Sequence, residues 1–118
     1  MPLLQINSNL PQIEPSILNE IHLSGAEILA DQIGKSIEYV MVIINTNSSL
    51  SFAQDSKTSA AYLEVKNVGE LDPNKTQRMS KMLSELVSKK LGICPTRIYI
   101  EFQQSERHLW GWNGATFA

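Results

Sequence analysis

Pro15-Ser16-Ile17-Leu18-Asn19-Glu20-Ile21-His22-Leu23-Ser24-Gly25-Ala26-Glu27-Ile28-Leu29-Ala30-Asp31-Gln32-Ile33-Gly34 reads as one amphipathic helix. Ile17, Leu18, Ile21, Gly25, Ile28, Leu29 and Ile33 recur at helical spacing and form one apolar or small stripe. Pro15 suits the first helical position, where no amide hydrogen is needed, and Gly34 supplies the stop. The pattern returns 58 residues later without a gap. Pro15 pairs with Pro73, Ile21 with Met79, Ile28 with Leu86, Leu29 with Val87, Ile33 with Leu91 and Gly34 with Gly92. Asp72 is a good N-cap ahead of Pro73, and Met79, Met82, Leu83, Leu86, Val87 and Leu91 make the second stripe.

Each helix is bracketed by strand signals. Leu3, Leu4 and Ile6 form a buried opening strand with Pro2 at its first position. Glu38–Asn45, Ser59–Lys66 and Arg97–Phe102 are strands by their β-branched and aromatic content. The result is a tandem β-α-β repeat, residues 1–46 and 59–103, within a single domain spanning 1–118. An α+β fold follows, with a four-stranded mixed sheet and two helices on one face. The polar segment 46–58 reads as an exposed connector. One sheet face is left without a cover. Along Val40–Ile44 both faces are apolar, Val40, Val42 and Ile44 on one and Met41 and Ile43 on the other, so a homo-oligomeric partner is expected there. The tail 108–118 is aromatic and glycine-rich where frayed ends are usually polar, so it is expected to dock on its own sheet or on a neighbour.

Composition narrows the function classes. Hydrophobic residues make up 42% and charged residues 19%, which is ordinary for a globular domain with a packed core. A net charge of −2 gives no electrostatic pointer to nucleic acid. No apolar run reaches the ~20 residues that span a bilayer, and no secretory leader pattern opens the chain. The single cysteine, Cys94, excludes an internal disulfide and fits a reducing cytoplasm. His22 and His108 are isolated, so no metal site is expected. Phosphate loops, dinucleotide fingerprints and nucleophile elbows are absent.

What remains is the amino terminus. If an aminopeptidase removes Met1, Pro2 becomes a secondary amine on the end of a buried strand. A low-dielectric site lowers the pKa of such an amine from its usual ~7.7–8.0, and a neutral amine is a candidate general base. The plain alternative is an edge-strand starter whose missing N–H costs nothing. Lys35, just past the helix stop, either complements the helix dipole or binds a substrate carboxylate. Tyr99 is a core tyrosine or a hydroxyl aimed into a pocket, the core being the simpler reading. Glu101 shares its face and needs a partner or a wet cavity.

Taken in order across the whole chain, these pieces resemble the macrophage migration inhibitory factor family of the tautomerase superfamily. The carriers are Met1-Pro2-Leu3, Asn7-Ser8-Asn9-Leu10-Pro11, Gly34-Lys35 with Tyr39, Asn67-Val68-Gly69, Arg97-Ile98-Tyr99-Ile100 and Gly111-Trp112-Asn113-Gly114-Ala115-Thr116-Phe117-Ala118. The resemblance implies a homotrimer with inward-facing sheets and active sites between subunits. It implies a keto–enol tautomerase of phenylpyruvate-type aromatic 2-oxo acids that uses no cofactor and no metal. Pro2 would be the catalytic base and Lys35 the anchor of the substrate carboxylate, with backbone donors around Val68. Tyr39, Val68, Trp112 and Phe117 would wall the aromatic ring together with Tyr99 of the neighbouring subunit. A cytoplasmic location with leaderless release is implied too, as is an alternative role as a signalling or binding protein with a weak pocket. Two positions depart from the family pattern. Glu101 replaces an asparagine, and an anion there would repel a carboxylate and raise the Pro2 pKa. Trp110 replaces a small aliphatic rim residue and would reshape the pocket. Ala60-Ala61-Tyr62-Leu63 stands where vertebrate members carry CxxC, so thiol-oxidoreductase chemistry is not expected.

Overall fold

The structure, a computed structural model, describes residues 1–118. Its elements run β1 (Pro2–Ser8), α1 (Pro15–Ile33), β2 (Met41–Asn45), β3 (Ala61–Val68), α2 (Pro73–Leu91), β4 (Ile98–Ser105) and a short hairpin of β5 (Gly111–Trp112) and β6 (Ala115–Thr116). The main sheet has the order β2-β1-β3-β4, with β1 parallel to β2, antiparallel to β3, and β3 parallel to β4. This is the expected mixed four-stranded sheet carrying two helices.

Both helices begin at a proline and stop at a left-handed glycine. Gly34 has φ 78° and donates to the Ala30 carbonyl; Gly92 has φ 68° and donates to Ser88. Asp72 caps α2 by accepting from the Lys75 amide at 3.0 Å, whereas Glu14 gives α1 no side-chain cap. The core lies between helices and sheet: Leu4, Ile6, Leu63 and Val65 meet Ile21, Leu29, Ile33, Met79, Leu83 and Val87. Met82, placed on the second stripe by sequence, is instead 36% exposed. At Gly25 a Cβ would stand 2.8 Å from Leu4 Cδ2, so glycine is what lets α1 approach β1.

Three features differ from the sequence expectation. The second strand starts at Met41 rather than Glu38, because Ile37–Tyr39 form a 3-10 turn. Ser36 nucleates that turn: its Oγ accepts from the Glu38 amide and its carbonyl from the Tyr39 amide. An equivalent turn, Pro95–Arg97, lies 58 residues on, so the repeat extends past the helices. Second, the connector 46–58 is tied down. Asn9 Nδ2 donates to the carbonyls of Leu50, Ser56 and Thr58, and the Arg97 guanidinium donates to Phe52, Asp55, Thr58 and Ser59.

Third, the apolar part of the open face gathers on its β2 side, where Met41 is 61% exposed beside Ile43 and Leu3 of β1. Strict alternation elsewhere turns Gln5, Asn7, Tyr62, Glu64, Lys66, Tyr99, Glu101 and Gln103 toward that face. No helix of the structure is long and apolar enough to cross a membrane.

Candidate active site

Sheet topology gathers side chains at the start of β1. Because β1 runs parallel to β2, with Leu3 opposite Met41, the turn ahead of β2 lies beside the amino terminus. Because β1 is antiparallel to β3, with Pro2 opposite Asn67, the end of β3 lies on the other side. Val68 is level with Ser105, so the chain leaving β4 arrives at the same end. Phe117 follows the hairpin and is held back against this end, its amide donating to the carbonyls of Arg107 at 3.1 Å and Trp110 at 3.3 Å. The tail docks on its own chain where the Trp112 ring meets Tyr39.

Two cavities result. The larger, about 440 Å³, is lined by Met1, Lys35, Ser36, Tyr39, Val68, Gly69, Arg107 and Phe117. The smaller, about 260 Å³, is lined by Pro2, Leu3, Met41, Trp110 and Trp112 among others. Met1 and Tyr39 line both. Tyr39 meets Trp112 edge to face, with ring centroids 5.6 Å apart at 85°, which fixes one aromatic wall. Pro2 is fully buried, and Val68 is 8% exposed. Lys35 stands directly after the αL glycine that ends α1, so the helix stop aims its cation here.

Electrostatics at the terminus favour a neutral amine. The Met1 α-amino group is held below its ordinary value, first by partial burial and then by repulsion from Lys35. Opposite Pro2, Asn67 is 1% exposed and its Oδ1 has no hydrogen-bond partner. Such an orphan is uncommon, because burying an unpaired carbonyl costs roughly 1–3 kcal/mol.

Of the residues named from the sequence, Pro2, Lys35, Tyr39, Val68, Trp110, Trp112 and Phe117 come together around these two cavities. Tyr99 and Glu101 do not, within one subunit. Tyr99 is 65% exposed rather than part of the core, and its ring packs against Phe52 at 5.0 Å. Glu101 accepts a 3.2 Å hydrogen bond from the Tyr62 hydroxyl, whose pKa is pushed up to about 12 by desolvation, with Glu64 and then Glu101 adding to it. Glu101 is level with Glu64 and Gln5, three residues along the sheet from the row of Pro2, Asn67 and Gln104. Arg107 and Ser36 were not singled out by sequence, and Asn67 was quoted only within Asn67-Val68-Gly69, with no role of its own. Arg107 carried one signal: it is a basic residue at the entrance to an aromatic tail that docks.

Comparison with known proteins agrees with this geometry. The macrophage migration inhibitory factor (MIF) family model matches residues 1–118. A MIF homolog of Trichinella spiralis is 32% identical over 117 residues, covering 99% of this chain and 100% of its own. The crystal structure of a MIF homologue from Prochlorococcus marinus superposes with a TM-score of 0.87 at 34% identity, covering 98% of this chain and 99% of that one. A MIF-like protein of Entamoeba histolytica reaches 0.89 at 28% identity, covering 98% of both chains. A match over the full length and on the same fold has one reading: the chain belongs to the macrophage migration inhibitory factor family.

Proposed function

We propose that this protein is a cofactor-independent keto–enol tautomerase of phenylpyruvate-type aromatic 2-oxo acids, with the Pro2 amine as general base once Met1 is removed. Family membership supports an isomerase of tautomerase kind. One observation carries the finer reading. Met1 lines both cavities beside Lys35, and its amine, one residue from the Pro2 nitrogen, is held below the ordinary value by burial and then by that cation. With Met1 gone, the residue that lines both cavities is gone too, and the Pro2 nitrogen would become the chain's free amine at that place.

The chemistry needs few parts. The neutral nitrogen accepts the proton from C3 of the keto acid as the C2–C3 double bond forms, and the proton is delivered to the carbonyl oxygen to give the enol. The reverse passage uses the same base. Lys35 pairs with the substrate carboxylate, and Tyr39, Val68, Trp112 and Phe117 enclose the ring. A retained Met1 would make the Pro2 nitrogen an amide with no basic lone pair.

The working unit in this reading is a homotrimer. Exposed Met41 and Tyr99 on the open face support it, and Tyr99 would enter a neighbour's cavity. An intact mass that fixes the amino terminus, followed by phenylpyruvate tautomerisation against pH in the same sample, tests the proposal. Turnover by Met-free protein that disappears in Pro2→Gly is the expected result. A Met-free protein without turnover would overturn it.

A further inference from the structure

The proposed reaction uses one fixed cation, yet its cavity holds two. Lys35 and Arg107 line the same space of about 440 Å³. Neither has a carboxylate partner: the ion pairs of the chain are Lys66–Glu64, Lys90–Glu20, Arg97–Asp55 and His108–Glu106. No acidic side chain lines this cavity. Acids line the neighbouring spaces: Glu38 the smaller cavity, and Glu70, Glu106 and the C-terminal Ala118 the cleft that Arg107 also lines. In a chain of net charge −2, two cations without ion-pair partners therefore line one cavity.

The two cations are carried by different elements. Lys35 hangs from the end of α1, and Arg107 begins the 3-10 turn Arg107–Leu109 that follows β4. The backbone of Arg107 is fastened to the same wall by the Phe117 amide, at 3.1 Å. A point-charge ammonium and a planar guanidinium fork, on separate supports, suit two anionic groups on one ligand rather than a single carboxylate. We propose that the preferred substrates are 2-oxo acids bearing a second anionic group, with the 2-oxo carboxylate on Lys35 and the second anion on Arg107. This rests on the reading of the cavity as a 2-oxo acid site.

The test uses Met-free protein and two substrates that differ by one ring carboxylate, phenylpyruvate and its ring-carboxylated analogue, at low ionic strength. Arg107→Gln is expected to lower kcat/KM for the dianion about tenfold, the scale of one charge-assisted hydrogen bond, and for the monoanion less than about twofold. Arg107→Lys should restore part of the loss, since it returns the charge without the fork. Equal effects on both substrates, or none on either, would overturn the inference. If neither acid is turned over by the unaltered protein, the tautomerase reading fails separately. Calorimetric binding of the same pair then decides about Arg107: tighter binding of the dianion that Arg107→Gln abolishes sustains the inference, and equal binding ends it.

Discussion

Gly25→Ala would probe the contact that seats the reactive strand. In isolation the change favours the helix, since alanine exceeds glycine by about 0.8–1 kcal/mol in a helix interior. Here the new methyl would lie 2.8 Å from Leu4 Cδ2, well inside the ~3.5–4.0 Å of a comfortable carbon–carbon contact. Leu4 is fully buried among Ile21, Leu29 and Leu63, so its end cannot swing into open space. Overpacking of this kind costs roughly 1–3 kcal/mol, which outweighs the propensity gain. The net expectation is a loss of up to about 2 kcal/mol, read as a lower urea midpoint with an unchanged m-value at fixed protein concentration. Leu4→Ala alone should cost roughly 2–5 kcal/mol, and combined with Gly25→Ala it should cost less than the sum, because the small residue vacates the space the new methyl needs. Leu4 and Pro2 share one face of β1, so Gly25→Ala should also depress turnover in protein that remains folded. Stabilisation by about 1 kcal/mol, or strict additivity in the double variant, would refute the close approach of α1 to β1.

Four further perturbations test the electrostatics and the buried polar groups. The base works only when neutral, so activity should rise with pH through an apparent pKa below the usual ~7.7–8.0 of an α-amine. Lys35 lowers the pKa of the Met1 amine, and the Pro2 amine would stand one residue away, so Lys35→Gln should move that midpoint upward; an unmoved midpoint counts against their proximity. Asn67→Leu, measured in chain that retains Met1, should keep or raise stability because it removes an orphan carbonyl, and a loss above about 2 kcal/mol would mean that Oδ1 has a partner. Asp55 is held down to about 2, first by its hydrogen bonds with Thr58 and then with the Lys57 amide. Its folded pKa lies below the unfolded value, so its contribution is present above about pH 4 and is lost as pH falls through about 2. Hydrogen exchange should then accelerate in residues 46–58 before it does in β3; simultaneous loss would show that Asp55 does not hold the connector.

Helices and architecture were legible because their signals are local and repeated. Proline at N1 and glycine at the stop need no tertiary context, and two copies in register tie each helix to its strands. The turn at Ile37–Tyr39 was not legible, since Tyr39 and Val40 carry strand propensity while the competing bonds come from a single serine. Nor was the order of the connector, which rests on Asn9 and Arg97 reaching across about 40 positions of sequence or more. The apolar character read from β2 holds at Met41 and Ile43, while the polar residues that alternate along β1, β3 and β4 set the rest of that face.

The site itself had no spacing to find. Pro2, Lys35, Tyr39, Val68 and Phe117 come from five separate positions along the chain, and only the family resemblance linked them beforehand. The sheet order gives a physical reason for their meeting. A terminal amine can be buried only where its strand has neighbours on both sides, and β1 is flanked by β2 and β3. A parallel neighbour brings the residues before its own start to the amine, which are Lys35 and Tyr39. An antiparallel neighbour brings the residues at its own end, which are Val68 and Gly69. Extending the rule one strand further, β4 runs parallel to β3, so its end, and Arg107 after it, falls at the cavity while Tyr99, near its start, falls at the far end. A correct strand order therefore contains Arg107 as part of the site and excludes Tyr99 from it within one subunit. For Tyr99 to act on a substrate at Pro2, the edge strand that carries it must lie against the amino terminus of a second copy.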